Sequence, residues 1–377
     1  MKSFVGIDLG ASGTRHVSNE CKVNTLPNNM VFLDKDARVD LEPYSEDIES
    51  ALDVAIEKEG ESQYFPARVL IGNLATRYMP TNQRPSVMAN KHVQQINYIS
   101  AITAVAVNKI RFGLGENISM YLAMPPIEVK NAKDELKNNF LGKYKVTFSK
   151  LDKVIEFTID DVVCYEESFM ALLSYFFELN GSLKDESANF RSGNILSMDI
   201  GASTTDLAVV SDMRYIEKSG QTYKTGGNVA RDFLMDDLRA EYGFDVPVEI
   251  ADTAMAEGRI QMGNTFVDIA PMVRTAKERF AEQIVEQIQG YFRKVGIPIQ
   301  SIRAIVVSGG GSMPGSYVND KNEVVVTSEA MSFFITRELN KICPGVEVVP
   351  YESNPRMANI YGLYIRASID MARKYKA

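Results

Sequence analysis

The sequence lacks several features that would point to whole classes of proteins. It has no tryptophan, two histidines and three cysteines in 377 residues. The three cysteines, Cys21, Cys164 and Cys343, are too few and too widely spaced for a disulfide framework or a Cys-x-x-Cys metal site, and two histidines are too few for a histidine-based one. No segment approaches the roughly 18 consecutive apolar residues of a membrane span. These absences predict a reduced, cytoplasmic protein that has no membrane partner.

The charge balance excludes a protein that coats nucleic acid. There are 41 basic and 49 acidic residues, which leaves a formal net charge of -8. A protein that binds DNA directly through its whole surface needs a cationic surplus. The 45% apolar and 24% charged content also excludes disorder as the default state. The length and composition predict two or more domains with sizeable cores.

One motif occurs twice, about half the chain length apart. Residues 8–14 read Asp-Leu-Gly-Ala-Ser-Gly-Thr, and residues 199–205 read Asp-Ile-Gly-Ala-Ser-Thr-Thr. An apolar run precedes each copy. Recurrence of a motif at this spacing indicates internal duplication, so the sequence predicts two similarly built halves.

Strand-like and helix-like segments alternate along the chain, which predicts an α/β protein. The predicted strands are 3–9, 118–124, 194–199, 205–210 and 302–307, with a hairpin at 144–148 and 153–159. A turn is expected at Asp161–Val163. The predicted helices are 98–110, 128–140, 166–179, 227–242, 269–295, 328–341 and one that begins near Arg356.

The duplicated motif suits phosphate binding. Glycine lets the backbone approach a phosphate, Ser and Thr hydroxyls and turn N–H groups donate to its oxygens, and an aspartate at a strand end can hold hydrated Mg²⁺. A single copy would equally fit an ordinary Asx-type turn. The chain has neither the GxxxxGK[ST] loop of P-loop proteins nor a Rossmann GxGxxG site.

A third glycine cluster follows the apolar run at 305–307. Residues 308–311 read Ser-Gly-Gly-Gly, and Pro314 follows. Glycines at the carboxyl end of a buried strand allow the backbone to pass close to a ligand. A flexible loop is the alternative interpretation.

Five stretches, in order, resemble the superfamily of actins, heat-shock chaperone ATPases and sugar kinases. In chain order they are the first copy of the duplicated motif, Glu166-Glu167-Ser168 on a helix, the second copy of the motif, the cluster at 308–311, and Ala358-Asn359-Ile360-Tyr361-Gly362. In that superfamily these five stretches correspond, in the same order, to phosphate 1, connect 1, phosphate 2, the adenosine motif and connect 2. Within it, the chain most resembles the ParM-like and archaeal-actin-like proteins of prokaryotes.

The resemblance implies an actin-like ATPase fold: two duplicated RNase H-like domains around a nucleotide cleft, each with a smaller subdomain. Domain I would span residues 1–192, with an inserted subdomain at about 30–90. Domain II would span 193–353, with a subdomain at about 232–300. The C-terminal helix, 354–377, would return to domain I.

The resemblance also implies roles for individual residues. Asp8 and Asp199 would be catalytic and would face Mg²⁺ through water, and Glu167 would orient the attacking water, with the adjacent Glu166 as the alternative. The helix that bears Lys277 and Glu278 would lie near the adenosine. The residues expected to bind ATP or GTP are Gly10, Ala11, Ser12, Gly13, Gly201, Ala202, Ser203, Thr204, Gly226, Gly227, Ser308, Gly309, Gly310 and Gly311.

The function implied by the resemblance is a nucleotide-hydrolysing protein that polymerises head to tail and moves plasmid or phage DNA through a DNA-binding adaptor. The alternatives are a small-molecule kinase of the same fold and a cytoskeletal scaffold like MreB or FtsA. Two further residues have plainer interpretations: His16 as a packed or solvent-facing side chain, and Asp206 as a turn or cap residue.

Overall fold

A computed structural model of the chain describes residues 2–10, 13–40, 51–78, 91–319, 321–351 and 354–375. The chain divides into two compact units. Unit 1 comprises Met1–Lys184 and Asn359–Ala377, and unit 2 comprises Asp185–Ala358. The finer subdivision into subdomains stays a prediction.

The described helices and strands alternate in both units. Unit 1 contains the strands β1 (Ser3–Gly10), β2 (Gly13–Ser18), β3 (Asn24–Leu26), β4 (Met30–Phe32), β5 (Ala51–Lys58), β6 (Ala67–Gly72), β7 (Asn117–Met124), β8 (Gly142–Phe148) and β9 (Lys153–Glu166), with the helices α1 (Asn73–Tyr78), α2 (Gln95–Phe112), α3 (Pro126–Phe140) and α4 (Glu167–Phe176). Unit 2 contains β10 (Asn194–Ile200), β11 (Thr205–Ser211), β12 (Arg214–Tyr215), β13 (Gln221–Tyr223), β14 (Arg259–Met262), β15 (Thr265–Asp268), β16 (Ile302–Ser308), β17 (Gly315–Val318), β18 (Val324–Ser328) and β19 (Glu347–Pro350), with α5 (Asn228–Tyr242), α6 (Val248–Glu257), α7 (Ala270–Val295) and α8 (Met331–Leu339). The last helix, α9 (Ala358–Tyr375), belongs to unit 1 from Asn359 onward.

The sheet of unit 1 is built around three parallel strands. Its order is β3-β2-β1-β7-β9-β8-β5-β6-β4, with β1, β7 and β9 parallel and β2 antiparallel to β1. The continuous apolar character of β1 fits this central position, because a strand covered on both faces has no solvent side. Strands β5, β6 and β4 extend the same sheet beyond β8.

The sheet of unit 2 repeats this core. Its order is β12-β11-β10-β16-β19, where β10, β16 and β19 are parallel and β11 returns antiparallel beside β10. Strands β1, β7 and β9 therefore correspond to β10, β16 and β19. The repeat confirms the duplication predicted from the two motifs.

Helices cover the two sheets where the apolar pattern predicts them. Helix α2 is almost wholly buried on β1 and β2 and ends at Gly113, whose φ of 63° gives the left-handed cap that glycine favours. In unit 2, α7 spans the core beside β10 and β16 and, at its N-terminal end, a smaller core formed with α5, α6 and β14. Among the described residues, no helix is both long and apolar enough to cross a membrane.

The predicted turn at Asp161–Val163 is wrong, because β9 runs unbroken from Lys153 to Glu166. Its first half pairs antiparallel with β8 and its second half pairs parallel with β7. The register shifts around Asp160, where the buried positions change from Phe157 and Ile159 to Val162 and Cys164. A β-bulge therefore produced the break in alternation that suggested a turn.

Two other differences concern unit 2. The helix predicted at 328–341 is shorter, Met331–Leu339, because Val324–Ser328 forms β18. Helix α6 and the hairpins β14–β15 and β17–β18 were not predicted. These strands have four or five residues each, too few to establish a period.

The backbones of α4 and α9 meet at Gly362. A Cβ atom at this position would overlap the carbonyl oxygen of Met170 in α4. Only glycine permits this approach. Because α4 begins at Glu167, the crossing holds the helix that carries the predicted catalytic glutamate.

We expect Gly362→Ala to destabilise the protein by about 1–3 kcal/mol, because the added methyl group must displace the backbone of α4. Gly290→Ala is the matched control, since it lies inside α7 and a Cβ atom added there would meet nothing within 4 Å. Alanine should stabilise that helical site by about 0.5–1 kcal/mol. Urea unfolding followed by circular dichroism measures both. If both variants changed the free energy of unfolding in the same direction, the close contact between α4 and α9 at Gly362 would be contradicted.

Candidate functional site

The first hairpin, β1–β2, places Asp8 opposite Arg15. Asp8 is buried, with 3% of its surface exposed, and Nη1 of Arg15 lies 3.2 Å from its Oδ2 atom. A Cβ atom at Gly10 would lie 2.6 Å from the same Nη1 atom, so glycine at this position leaves room for the guanidinium. Ala11 and Ser12, both predicted to bind nucleotide, lie outside the described residues.

The other glycine of this hairpin is explained by packing. A Cβ atom at Gly13 would lie 2.7 Å from Cγ2 of Thr25 and 2.9 Å from the carbonyl oxygen of Leu26 in β3. Asn28 donates from Nδ2 to the carbonyl oxygen of Gly10 at 2.6 Å. The chain after β3 therefore holds the hairpin from one side.

Glu167 starts α4 directly after β9 and is buried beside Lys91. The Nζ atom of Lys91 lies 2.6 Å from Oε1 of Glu167. Burial lowers the pKa of Lys91, but Glu167 and Asp8 nearby raise it by more, so it lies above its ordinary value and the amine is charged. The structure thus brings Asp8 and Glu167 into one electrostatic cluster.

Sequence reasoning missed Arg15 and Lys91. Arg15 lies opposite Asp8 in the hairpin. Because the two strands are adjacent in sequence, counting residues back from the turn would have predicted this pairing. Lys91 and Glu167 are 76 positions apart and share no local pattern. A single sequence carries no signal that pairs them.

The second hairpin, β10–β11, repeats the geometry of the first. Asp199 is 5% exposed and pairs in register with Asp206, as Asp8 does with Arg15. The turn closes through the N–H of Gly201, which donates to the carbonyl oxygen of Thr204 at 2.8 Å. Asp206 accepts from Thr222 Oγ1 at 2.6 Å, which agrees with its plainer interpretation as a structural residue.

Three glycine-bearing loops of unit 2 pack on one another. The N–H of Gly227 donates to Gly201 O at 2.9 Å, and a Cβ atom at Gly226 would lie 2.6 Å from the carbonyl oxygen of Ala202. Gly309 has a φ of 88°, and a Cβ there would overlap Asp199 Oδ1 and the carbonyl of Ile200. The structure therefore brings together the predicted residues of unit 2: Gly201, Ala202, Ser203, Thr204, Gly226, Gly227, Ser308, Gly309, Gly310 and Gly311.

Ser308 and Ser203 leave polar atoms at this stack of loops. Ser308 is fully buried at the end of β16, in register with Asp199, and within the described part of the chain its Oγ atom has no hydrogen-bond partner. An unpaired buried hydroxyl is costly unless a missing group completes it. Ser203, at the tip of the hairpin, is exposed. Ser203 is therefore open to solvent, whereas Ser308 is closed off from it.

Each of the two hairpins carries one carboxylate that could hold a metal ion. Asp8 and Asp199 stand at the same position of the two hairpins, and oxygen is the donor that Mg²⁺ prefers over softer metals. Among the described residues, no group of three or more His, Cys, Asp or Glu side chains is placed to hold a metal ion. A Mg²⁺ ion bound by one carboxylate would keep most of its water.

The side chain of Lys277 makes its hydrogen bonds within unit 2. Its buried amine donates to Met313 O at 3.1 Å, Ser328 Oγ at 2.9 Å and Glu329 O at 2.9 Å, which accounts for its three donors. It anchors the segment that follows the glycine loop at 309–311. Glu278 pairs with Arg337.

His16 is a packed residue, the first of its two plainer interpretations. It is fully buried, and Nδ2 of Asn108 in α2 lies 2.6 Å from its Nδ1 atom. Burial, with a smaller contribution from Arg111, lowers the pKa of His16 to about 3. The ring is therefore neutral at ordinary pH.

Comparison with known proteins identifies the fold. Residues 197–315 match the family model described as archaeal actin homologue MreB-like, C-terminal. No curated protein matches the sequence. The actin-like protein Alp7A matches with a TM-score of 0.76 at 18% identity, over 100% of this chain and 98% of that one.

Two ParM structures are also similar. A 15-stranded ParM filament from Clostridium botulinum has a TM-score of 0.67 at 17% identity, covering 98% of this chain and 99% of that one. ParM from Bacillus thuringiensis with ATP has a TM-score of 0.65 at 17% identity, with the same coverage. The chain has an actin-like α/β fold, and the resemblance inferred from the five motifs is confirmed.

The buried amine of Lys277 predicts a pH-dependent stability. Burial lowers its pKa from 10.5 to about 8, against a smaller rise from Glu329. Between these values the unfolded chain binds more protons than the folded one, so stability rises with pH. The free energy of unfolding of the protein, relative to Lys277→Met, should increase by about 2 kcal/mol from pH 7 to pH 10. Urea unfolding at the two pH values tests this prediction. It would be contradicted if the difference in free energy of unfolding between the protein and Lys277→Met were the same at pH 7 and pH 10.

Proposed function

We propose that this chain is an actin-like protein that binds and hydrolyses ATP or GTP and assembles into filaments in the cytoplasm. The observation that carries the proposal is the duplication of one hairpin with one aspartate: Asp8 and Asp199 occupy the same register position in equivalent strands. Ligands of α/β sheets bind at the carboxyl ends of the strands, where both aspartates lie.

The nucleotide contacts follow from the family resemblance. Turn N–H groups and hydroxyls of the two hairpins would bind the β- and γ-phosphates, Gly226 and Gly227 would lie near the ribose, and the loop at 309–311 would pass the α-phosphate and base. Bound Mg²⁺, held by Asp8 and Asp199 through water, would neutralise phosphate charge. That ParM from Bacillus thuringiensis was solved with ATP supports this assignment.

Glu167 is assigned to orient the attacking water. Phosphoryl transfer to water needs positioning and charge stabilisation more than a protein nucleophile. Glu167 is buried beside Lys91 and close enough to Asp8 for both carboxylates to act on that lysine. This placement favours Glu167 over Glu166, the last residue of β9.

Filament assembly is supported by the likeness to a ParM filament. Head-to-tail contacts between identical subunits do not close on themselves and give an open polymer. We further propose that the filament moves plasmid or phage DNA through a basic adaptor protein, since a subunit with a net charge of -8 is repelled by bare DNA. Tight, salt-sensitive binding of the isolated protein to naked duplex would contradict this part.

We expect Glu167→Gln to lower the rate of ATP or GTP hydrolysis at least about 100-fold, because the amide orients water less well than a carboxylate. Binding of a non-hydrolysable analogue should change less than threefold. Glu166→Gln is the matched control and should keep most of the activity. Phosphate release and calorimetry measure the two quantities, and an equal loss in both variants would contradict the assignment.

Polymerisation should require nucleotide. Light scattering should rise when ATP or GTP and Mg²⁺ are added, and filaments of Glu167→Gln should outlast those of the unaltered protein because hydrolysis no longer weakens them. Asp199→Asn, which should weaken nucleotide binding, is expected to remove the rise. No rise with either nucleotide at any salt concentration would exclude a filament, and phosphorylation of a sugar from a panel would instead support the kinase alternative.

A further inference from the structure

A buried lysine lies against the carboxylate that the proposed function assigns to water orientation. The Nζ atom of Lys91 and Oε1 of Glu167 are 2.6 Å apart, and the two side chains are only 13% and 8% exposed. This is a charge-assisted hydrogen bond, which is stronger and more directional than a neutral one. Because the pair is largely buried, removing Lys91 takes a cation away from a buried carboxylate, which is costly.

The backbone that carries Lys91 is held separately. Glu128, in the first turn of α3, is 3% exposed and accepts from the N–H groups of Lys91 at 2.9 Å and His92 at 3.0 Å. Asn97, in α2, donates to the carbonyl oxygen of Lys91 at 2.9 Å. Two helices therefore fix the point from which the lysine side chain starts.

The position of Lys91 is also set by charge. Its ammonium interacts with three carboxylates, those of Glu167, Asp8 and Glu128. These carboxylates raise the pKa of Lys91, so the ammonium stays charged and attracted to all three. Lys91 thus links the carboxylate assigned to water with the one assigned to Mg²⁺.

We propose that Lys91 is a positioning residue for nucleotide hydrolysis, which holds the carboxylate of Glu167 in one orientation, and that Glu128 fixes the turn that presents it. The inference rests on the proposed function, because it gives Lys91 a role only if Glu167 orients water. A group that aligns a nucleophile must be in the correct ionisation state and held by its own supporting contacts. Lys91 acts through Glu167.

The kinetic test compares Lys91→Met with Lys109→Met. Lys109 lies at the other end of α2 and donates to the carbonyl oxygens of Leu114 and Gly115, so its loss removes a bonded lysine far from Glu167. We expect Lys91→Met to lower kcat roughly 10- to 100-fold with less than a threefold change in KM, because a displaced carboxylate misaligns the water. Lys109→Met should keep kcat within twofold.

A double-variant cycle separates positioning from an independent role. On the Glu167→Gln background, Lys91→Met should cause no further loss of kcat, because residues that act as a unit are not additive. A full additional loss in the double variant would show that Lys91 contributes without Glu167 and would overturn the inference.

A measurement without nucleotide reports the ion pair itself. Lys91→Met should lower the melting temperature of the nucleotide-free protein by roughly 5 °C, since the buried carboxylate of Glu167 loses its cationic partner. Adding Glu167→Gln should restore at least half of that loss, because an amide needs no counter-charge. If adding Glu167→Gln to Lys91→Met did not restore stability, the ion pair between Lys91 and Glu167 would be contradicted.

The outcomes separate the two proposals. If Lys91→Met hydrolyses nucleotide at the original rate or faster while Glu167→Gln is inactive, Lys91 does not position Glu167 and the inference is overturned, but the proposed function stands. If the unaltered protein hydrolyses neither ATP nor GTP, both are overturned. If Glu167→Gln remains active, the assignment of the water-orienting group fails, and the role of Lys91 fails with it.

Discussion

Parallel pairing of three central strands in each unit decides where the candidate site residues lie. Three strands run parallel in the sheet of each unit: β1, β7 and β9 in unit 1, and β10, β16 and β19 in unit 2. The carboxyl ends of the three strands therefore lie at one edge of each sheet. Asp8 and Asp199 stand near the ends of the first strands, Glu167 follows the third strand of unit 1, and Ser308 ends the second strand of unit 2. Any register slip would move these groups apart, and the buried faces of the strands oppose such a slip.

The glycines of the candidate site can be explained either by close packing or by ligand binding, and for some of them the structure shows that packing is enough. Gly13 and Gly226 meet neighbouring backbone or side chains so closely that a Cβ atom would clash, which explains them through packing alone. The packing still has a functional consequence, because loops that touch through their backbones present N–H groups without side chains in the way. Ser308 has no such packing explanation, but several other buried hydroxyls of the described residues, such as those of Ser18 and Ser119, also have no partner, so this feature does not mark the site.

Sequence reasoning succeeded where chemistry and spacing are local. Each hairpin is one continuous stretch, so the Asp and Gly residues, the turn and the returning strand could be read together, and the long apolar segments predicted β1, α2 and α7 correctly. It failed where neighbours come from distant segments or where elements are short. The pair Lys91 and Glu167 depends on tertiary packing, β9 contains a bulge that imitates a turn, and four-residue strands such as β14 carry no measurable period.

The electrostatics of unit 1 show how a cluster of candidate site residues can contain several buried carboxylates. Asp8 is paired with Arg15 and Glu167 with Lys91, while Glu128 is satisfied mainly by backbone N–H groups. Each acid thus has its own counterpart before any ligand arrives, so the cost of burying it is met by the fold. The two cations belong to pairs that are already ordered. Arg15 and Lys91 are therefore already oriented by their carboxylates, and the charge of each cation is balanced within the folded protein.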